Sequence, residues 1–448
     1  MGRPLCYCQN ILIAPAATPT VSSLAIMKSD ALSALGRRTE APPISWLMAT
    51  ALAQPRVISL AAGFTDHESL PVDETRELFE DILRSPKLGR AALQYGTTRG
   101  DTTLRELTAE RLRELDGGKS SSALYAPERL ILTNGSQQLL YMVTEALCDP
   151  RDIVLVEDPS YFVYLSILQS HGIAARGVRM TEQGLDLAHL EQVLTDLRKR
   201  GKLSRLKLLY LVSYYQNPTG ITTSLAQKAG ALRLLRRYER DAGHPLYLLE
   251  DAAYRELRFG GRGVESALAA DPKRVIYAGT YSKPFATGVR VGFGLLPKEV
   301  FIPVERIKGN HDFGSSNLLQ QLLARALASG LYEKHLAALR RRYARKAGIM
   351  LEALESHFPP GVSWRMPDGG LYFWAQAPGR VSSGAKSKLF REALRNEVLY
   401  VPGELCYADD PARPKPDNEM RLSFGAAAEA NIRTGIERLG KALHKLMD

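Results

Sequence analysis

The chain has 448 residues, 45% hydrophobic and 24% charged, with 59 basic against 48 acidic side chains and a net charge of +11. That length and apolar share exclude an intrinsically disordered protein and imply a core large enough for about two domains. No apolar run approaches the roughly 20 residues of a membrane span; Cys6, Cys8, Cys148 and Cys406 form no disulfide ladder, and eight scattered histidines form no metal pattern, which fits a reducing cytoplasm and no bound metal.

Residues 1–27 read as a disordered or mis-annotated extension. Arg3 and a mildly apolar run to Ala25 imitate a secretory leader, but Gln9, Asn10 and two prolines interrupt it and no small-residue cleavage site follows. Met27-Lys28-Ser29-Asp30 is a more natural start, with Ser29 or Asp30 capping a helix. Apolar strands near Leu130, Val154, Leu208, Leu248, Ile276 and Val291 then alternate with helical stretches such as 137–147 and 227–240, which predicts a mainly parallel sheet covered by helices on both faces. After Asn317 the pattern changes to long helices, especially 331–356, followed by the hairpin-like Gly369 to Trp374 strand, the Val401-Pro402-Gly403 turn and a closing helix from Ala427. The densest basic clusters, Arg340-Arg341-Arg342 with Arg345-Lys346 and Arg233 with Arg236-Arg237, are expected to be solvated helix faces rather than a nucleic-acid surface.

Polar residues gather where the strands end, which is where open α/β sheets bind ligands. Gly135-Ser136-Gln137 opens a helix, so it is either an ordinary cap or a site where free amides and the helix dipole meet an anion. Tyr161, in Glu157-Asp158-Pro159-Ser160-Tyr161, either packs at a helix entrance or stacks on a flat heterocycle. Gln216-Asn217-Pro218-Thr219-Gly220 is a common turn whose Asn217 could donate to a phenolic oxygen. Asp251 follows an apolar strand and either caps the next helix or partners a protonated ring nitrogen; Tyr254, three residues on, could donate to the same oxygen as Asn217. In Thr280-Tyr281-Ser282-Lys283-Pro284-Phe285, with Arg290 seven positions past the lysine, Lys283 suits an amine that forms an imine. A partly dried lysine is held neutral, and Thr280, Ser282 and Arg290 supply donors for a dianionic phosphate. A lysine in a polar loop is the ordinary alternative. Together these residues read as an anchor for pyridoxal 5′-phosphate (PLP). Arg421, on a short alternating strand, is a surface residue or a fork for a carboxylate.

The order of these motifs resembles the PLP-dependent class I/II aminotransferases of fold type I, over the stretch from about Ile58 to the C-terminus. The step from lysine to arginine is most similar to the branch that includes the 2-aminoadipate and kynurenine aminotransferases. The resemblance implies a large domain with a mainly parallel, seven-stranded-type sheet and a smaller α/β domain built from N- and C-terminal segments. The expected division is an arm and part of the small domain over 28–85, the PLP domain over 86–329, and the rest of the small domain over 330–448. It also implies roles: Lys283 as the cofactor-bearing and proton-moving amine, Asp251 on the ring nitrogen, Asn217 and Tyr254 on the phenolic oxygen, and Tyr161 against the ring. Ser136, Gln137, Thr280, Ser282 and Arg290 match the phosphate cup, and Tyr95 matches a tyrosine that reaches a neighbouring subunit's phosphate, though by itself it reads as a surface loop aromatic. Arg421 matches the clamp on the substrate α-carboxylate, with Gly63 beside it. Ala62, Ser213, Thr280, Ala252 and Ala253 depart from the family's usual residues without removing a catalytic group; Ala62 and Ala252 bear on the substrate pocket.

The expectation is a homodimeric cytoplasmic aminotransferase acting by a ping-pong cycle on amino acids and 2-oxo acids, with no nucleic acid or membrane partner. A PLP-dependent lyase or synthase on the same fold is the nearest alternative. A ligand-sensing regulator is the more distant one, since the roughly 50 residues before Ile58 are too few for a winged-helix domain and linker.

Overall fold

The computed structural model describes residues 31–118 and 122–447. The proposed helix cap at Ser29 or Asp30 lies outside the described residues; the first described helix, Ala34–Arg38, is capped instead by Ser33, whose hydroxyl accepts from the Gly36 amide. A short strand, β1 (Ile58–Ser59), precedes the main sheet.

That sheet contains β2 (Leu130–Thr133), β3 (Ile153–Asp158), β4 (Ala174–Thr181), β5 (Gly184–Leu185), β6 (Leu206–Val212), β7 (Tyr247–Asp251), β8 (Val275–Thr280) and β9 (Gly292–Leu295), in the order β2-β9-β8-β7-β6-β3-β4-β5. The pairs β4/β3, β3/β6, β6/β7 and β7/β8 are parallel, and β9 runs antiparallel to both β8 and β2. β3, β7 and β8 are buried along their whole length because helices cover both faces, hence their nearly unbroken apolar sequences. The sheet has eight strands where seven were expected. The additional one is the two-residue β5, which folds back on β4 through a turn with Gly184 at φ 102°.

The smaller unit has the antiparallel sheet β10 (Ser363–Trp364), β11 (Tyr372–Gln376), β14 (Glu419–Ser423) and β13 (Val401–Pro402), in the order β10-β11-β14-β13. β1 pairs in parallel with β12 (Val398–Leu399), so residues from both ends of the chain share this unit. The helices Leu331–His357 and Glu429–Met447 pack against each other beside it.

The basic cluster on the first of these helices is a solvated face at Arg341 and Arg345, as its composition suggested, but not at Lys346. Lys346 is buried and its Nζ lies 2.7 Å from Asp66 Oδ1, Arg342 pairs with the same buried carboxylate, Arg345 pairs with Glu429, and Arg340 donates to the Glu256 carbonyl. A buried ammonium needs a nearby anion to offset its desolvation, and Asp66 supplies it from the N-terminal segment. Arg236 and Arg237 behave as expected, in surface pairs with Asp271 and Glu191.

Candidate active site

The carboxyl ends of β2, β3, β6, β7 and β8 converge on one cavity of about 290 Å³. Its walls include Ser136, Gln137, Tyr161, Asn217, Asp251, Tyr254, Thr280, Ser282, Lys283, Arg290, Arg421 and Gly63. Residues from Gly63 to Arg421 are thus brought together, and Tyr95 is the one predicted site residue left out. Tyr95 is 80% exposed and meets Phe313 edge-on, 5.7 Å between ring centres.

Asp251 ends β7, in register with Val212 on one side and Ala278 on the other, so its side chain is enclosed by the neighbouring strands. It does not cap a helix, because turns follow it. Tyr210 Oη donates to Oδ2 at 2.9 Å and the Ala253 amide to Oδ1 at 3.1 Å, yet burial outweighs these donors and pushes the carboxyl up to about 6. A cation at this spot would hold it ionised.

Lys283 follows β8, and its Nζ donates to the Gly63 carbonyl at 2.7 Å. Burial, then the charges of Arg421 and Arg290, pull the amine down to about 8, far closer to neutrality than a solvated lysine. Neutral amine is therefore available at physiological pH.

Arg421, in β14, is 1% exposed, so the surface alternative for it fails. Its Nη1 donates to Asn217 Oδ1 at 2.7 Å and its Nη2 to the Ala61 carbonyl at 2.6 Å, while Nε has no hydrogen-bond partner among the described residues. The guanidinium lies 4.4 Å from the centre of the Tyr372 ring and 5.4 Å from that of Phe162. A buried guanidinium with no ion-pair partner among the described residues and a spare donor suits an incoming carboxylate.

Asn217 uses both ends of its amide, accepting from Arg421 and offering Nδ2 to Tyr254 Oη at 3.5 Å. The surrounding segment is the expected turn, closed by Gly220 N to Gln216 O at 2.7 Å. Tyr254 Oη lies 2.9 Å from Tyr372 Oη.

Ser136 and Gln137 sit in the first turn of the helix Gly135–Leu147, where Asn134 makes no side-chain cap bond and leaves the amides uncommitted. Gly135 has φ +73°, and a Cβ there would fall 2.5 Å from Arg290 Nη2. Glycine therefore lets the guanidinium close over the helix end. Arg290 Nη1 also reaches Ser282 Oγ at 3.4 Å, and Thr280 Oγ1 accepts from the Ser282 amide at 3.1 Å. Thr280 Oγ1 also donates to the Val291 carbonyl at 3.2 Å, so helix amides, the Ser282 hydroxyl and a guanidinium are the donors that suit an anion here.

Three contributors escaped the sequence reading. Tyr210 was read only as part of a strand, although its alternation with Val212 places it on the face of Asp251. Tyr372 was seen only as a strand residue after Gly369-Gly370. Glu157, buried at the end of β3, accepts from the Val212 amide at 2.9 Å and from Gln216 Nε2 at 2.8 Å, bracing the Asn217 turn, and burial pushes it up to about 8.

A PLP-shaped demand for an anion cradle, a cation partner and a nucleophilic amine is met by these residues, and the comparisons agree with it. The chain is 33% identical over 393 residues to an aromatic-amino-acid aminotransferase of Thermococcus litoralis, covering 87% of this chain and 89% of that protein. It is 34% identical over 398 residues to a 2-aminoadipate transaminase of Thermus thermophilus, covering 88% and 92%. The crystal structure of Pyrococcus horikoshii kynurenine aminotransferase, in complex with PMP, superposes with a TM-score of 0.83 at 30% identity, over 93% of this chain and 98% of that one. The family described as aminotransferase class I and II matches residues 55–439, and this chain belongs to it.

Proposed function

We propose that the cavity holds PLP and that the protein is an aminotransferase moving an amino group between an L-amino acid and a 2-oxo acid in two half-reactions. The observation that carries this is a near-neutral lysine facing, in one cavity, a buried carboxylate that needs a cation and a buried guanidinium with a donor to spare. When bound, PLP supplies an electron sink for the charge left at the substrate Cα. Asp251 balances a cationic ring nitrogen, Asn217 and Tyr254 offer donors to the phenolic oxygen, and Tyr161 lies against the ring. The helix end at Ser136 and Gln137, with Thr280, Ser282 and Arg290, binds the phosphate.

Arg421 grips the α-carboxylate beside Gly63, which orients the Cα–H bond toward Lys283. The neutral Nζ of Lys283 would take that proton, as a base placed within reach can, and would then carry it as the ammonium, the acid needed to give it back. Tyr95 is assigned to the neighbouring subunit's phosphate in a homodimer. Its exposure, with that of Leu93 at 69% and Phe313 at 56%, supports a partner covering this apolar patch. A cytoplasmic location is supported by the free cysteines Cys148 and Cys406; no helix among the described residues is long and apolar enough to cross a membrane.

The test is a panel of amino donors with 2-oxoglutarate, following glutamate. Transfer from at least one donor with ping-pong kinetics is expected; no transfer across a broad panel refutes the assignment.

A further inference from the structure

Four side chains form a closed circuit in the cavity wall. Tyr372 Oη contacts Tyr254 Oη at 2.9 Å, Asn217 Nδ2 reaches Tyr254 Oη at 3.5 Å, Asn217 Oδ1 accepts from Arg421 Nη1 at 2.7 Å, and the Arg421 guanidinium lies 4.4 Å from the Tyr372 ring centre. Tyr372 is 1% exposed and Tyr254 5%. A buried hydroxyl needs an acceptor for its proton, and Tyr254 is the hydrogen-bond partner of Tyr372 Oη among the described residues.

The direction of this bond has chemical consequences. If Tyr254 donates to Tyr372, its proton is consumed in the wall. If Tyr372 donates, the Tyr254 oxygen is satisfied from behind and its own proton is free to point into the cavity, as a stronger donor because it also accepts. Only the second arrangement gives both protons an acceptor once an anionic oxygen enters. The ring of Tyr372 meanwhile fixes the guanidinium face, and its hydroxyl stands where a Cβ on Gly63 would come within 2.6 Å, so residue 63 must stay bare for the phenol to remain in place.

We propose that Tyr372 is a positioning residue, whose hydroxyl turns the Tyr254 proton toward the cofactor's phenolic oxygen and whose ring couples that hydrogen bond to the carboxylate clamp at Arg421. The inference rests on the PLP reading of the cavity.

Tyr372→Phe removes the hydroxyl and keeps the ring. In the purified holoenzyme, the pH midpoint of the visible absorbance band of the Lys283-bound cofactor is expected to rise, because the anionic oxygen loses donor strength. The rise corresponds to about a 3- to 10-fold change in the protonation constant, the scale of one neutral hydrogen bond. Cofactor-free protein titrated with PLP is expected to show a dissociation constant raised by a similar factor. In a Tyr254→Phe background the same substitution is expected to move neither quantity, since the relay has no end. Tyr372→Leu, which also removes the ring, is expected to weaken binding of a simple carboxylate inhibitor about tenfold beyond Tyr372→Phe, on the scale of a desolvated cation–π contact. An unmoved midpoint in Tyr372→Phe, or an equal shift with and without the Tyr254 hydroxyl, overturns the inference and leaves the PLP reading intact. A wild-type protein that shows no cofactor band with PLP overturns the reading and the inference together.

Discussion

Replacing Lys283 by methionine should make the cofactor-free protein more stable at neutral pH and leave it no more stable at alkaline pH. The amine is drawn down to about 8 in the folded protein, from the ordinary 10.5. Below pH 8 it is charged in both folded and unfolded chains, and the buried cation costs the full shift, about 3 kcal/mol at about 1.4 kcal/mol per pH unit. As pH rises from 8 toward 10.5 the folded amine is neutral before the unfolded one, so the cost shrinks and then vanishes. Methionine has similar length and no charge, but it forfeits the 2.7 Å bond to the Gly63 carbonyl, worth about 1 kcal/mol. The net gain is therefore about 2 kcal/mol at pH 6–7, falling through zero near pH 10 and turning into a small loss above it. Urea unfolding of wild type and Lys283→Met at fixed protein concentration, from pH 6 to 10.5, measures the difference directly. A difference that does not change with pH, or a loss at pH 7, would show that this lysine is solvated in the folded chain and would remove the physical basis for its reactivity.

Arg421→Ala is expected to lower kcat/KM for amino acid donors by about 30-fold to several thousandfold, the range for truncating a buried charge that binds an opposite charge; amines without a carboxylate, measured alongside, should lose far less. Gly135→Ala forces a Cβ to 2.5 Å from Arg290 Nη2 at a positive φ, so PLP affinity should fall at least about tenfold, with about 1 kcal/mol of stability lost to backbone strain, read by PLP titration and urea melts. Glu157→Gln should stabilise the protein increasingly from pH 5 to 8. The folded carboxyl titrates at about 8 against an ordinary 4.5, so its stabilising contribution is complete below 4.5 and is lost as pH rises through the folded value. A neutral amide escapes that loss, for a gain on the order of 2–3 kcal/mol at pH 7.5, and equal unfolding midpoints at pH 5 and 7.5 would contradict it.

The strand-end residues were legible because their chemistry is local. Lys283, Asp251 and Asn217 each stand just after or at the end of an apolar strand, and a parallel sheet delivers all such ends to one edge. Tyr372 was not legible, because its meaning comes from a residue 118 positions away and a phenol in a strand looks the same whether or not it meets another. The burial of Lys346 within an otherwise solvated basic run was hidden for a related reason, since composition cannot say that Asp66 folds across it. Arg421 sat between the two cases: its strand was visible, but both faces of that strand are buried, which no alternation of residue types announced.

The parallel pairing of β1 with β12 has a further consequence during synthesis. The clamp on the carboxylate is assembled from the Ala61 carbonyl, the Asn217 amide and the Arg421 guanidinium, so it does not exist until the last of these has left the ribosome and docked against the first. The residues of the phosphate cradle all precede position 291, although the helix end after β2 is joined to β8 only through β9, Gly292–Leu295. The last residue to join the clamp is thus made well after every residue of the cradle, and the chain's two recognition surfaces are completed in that order.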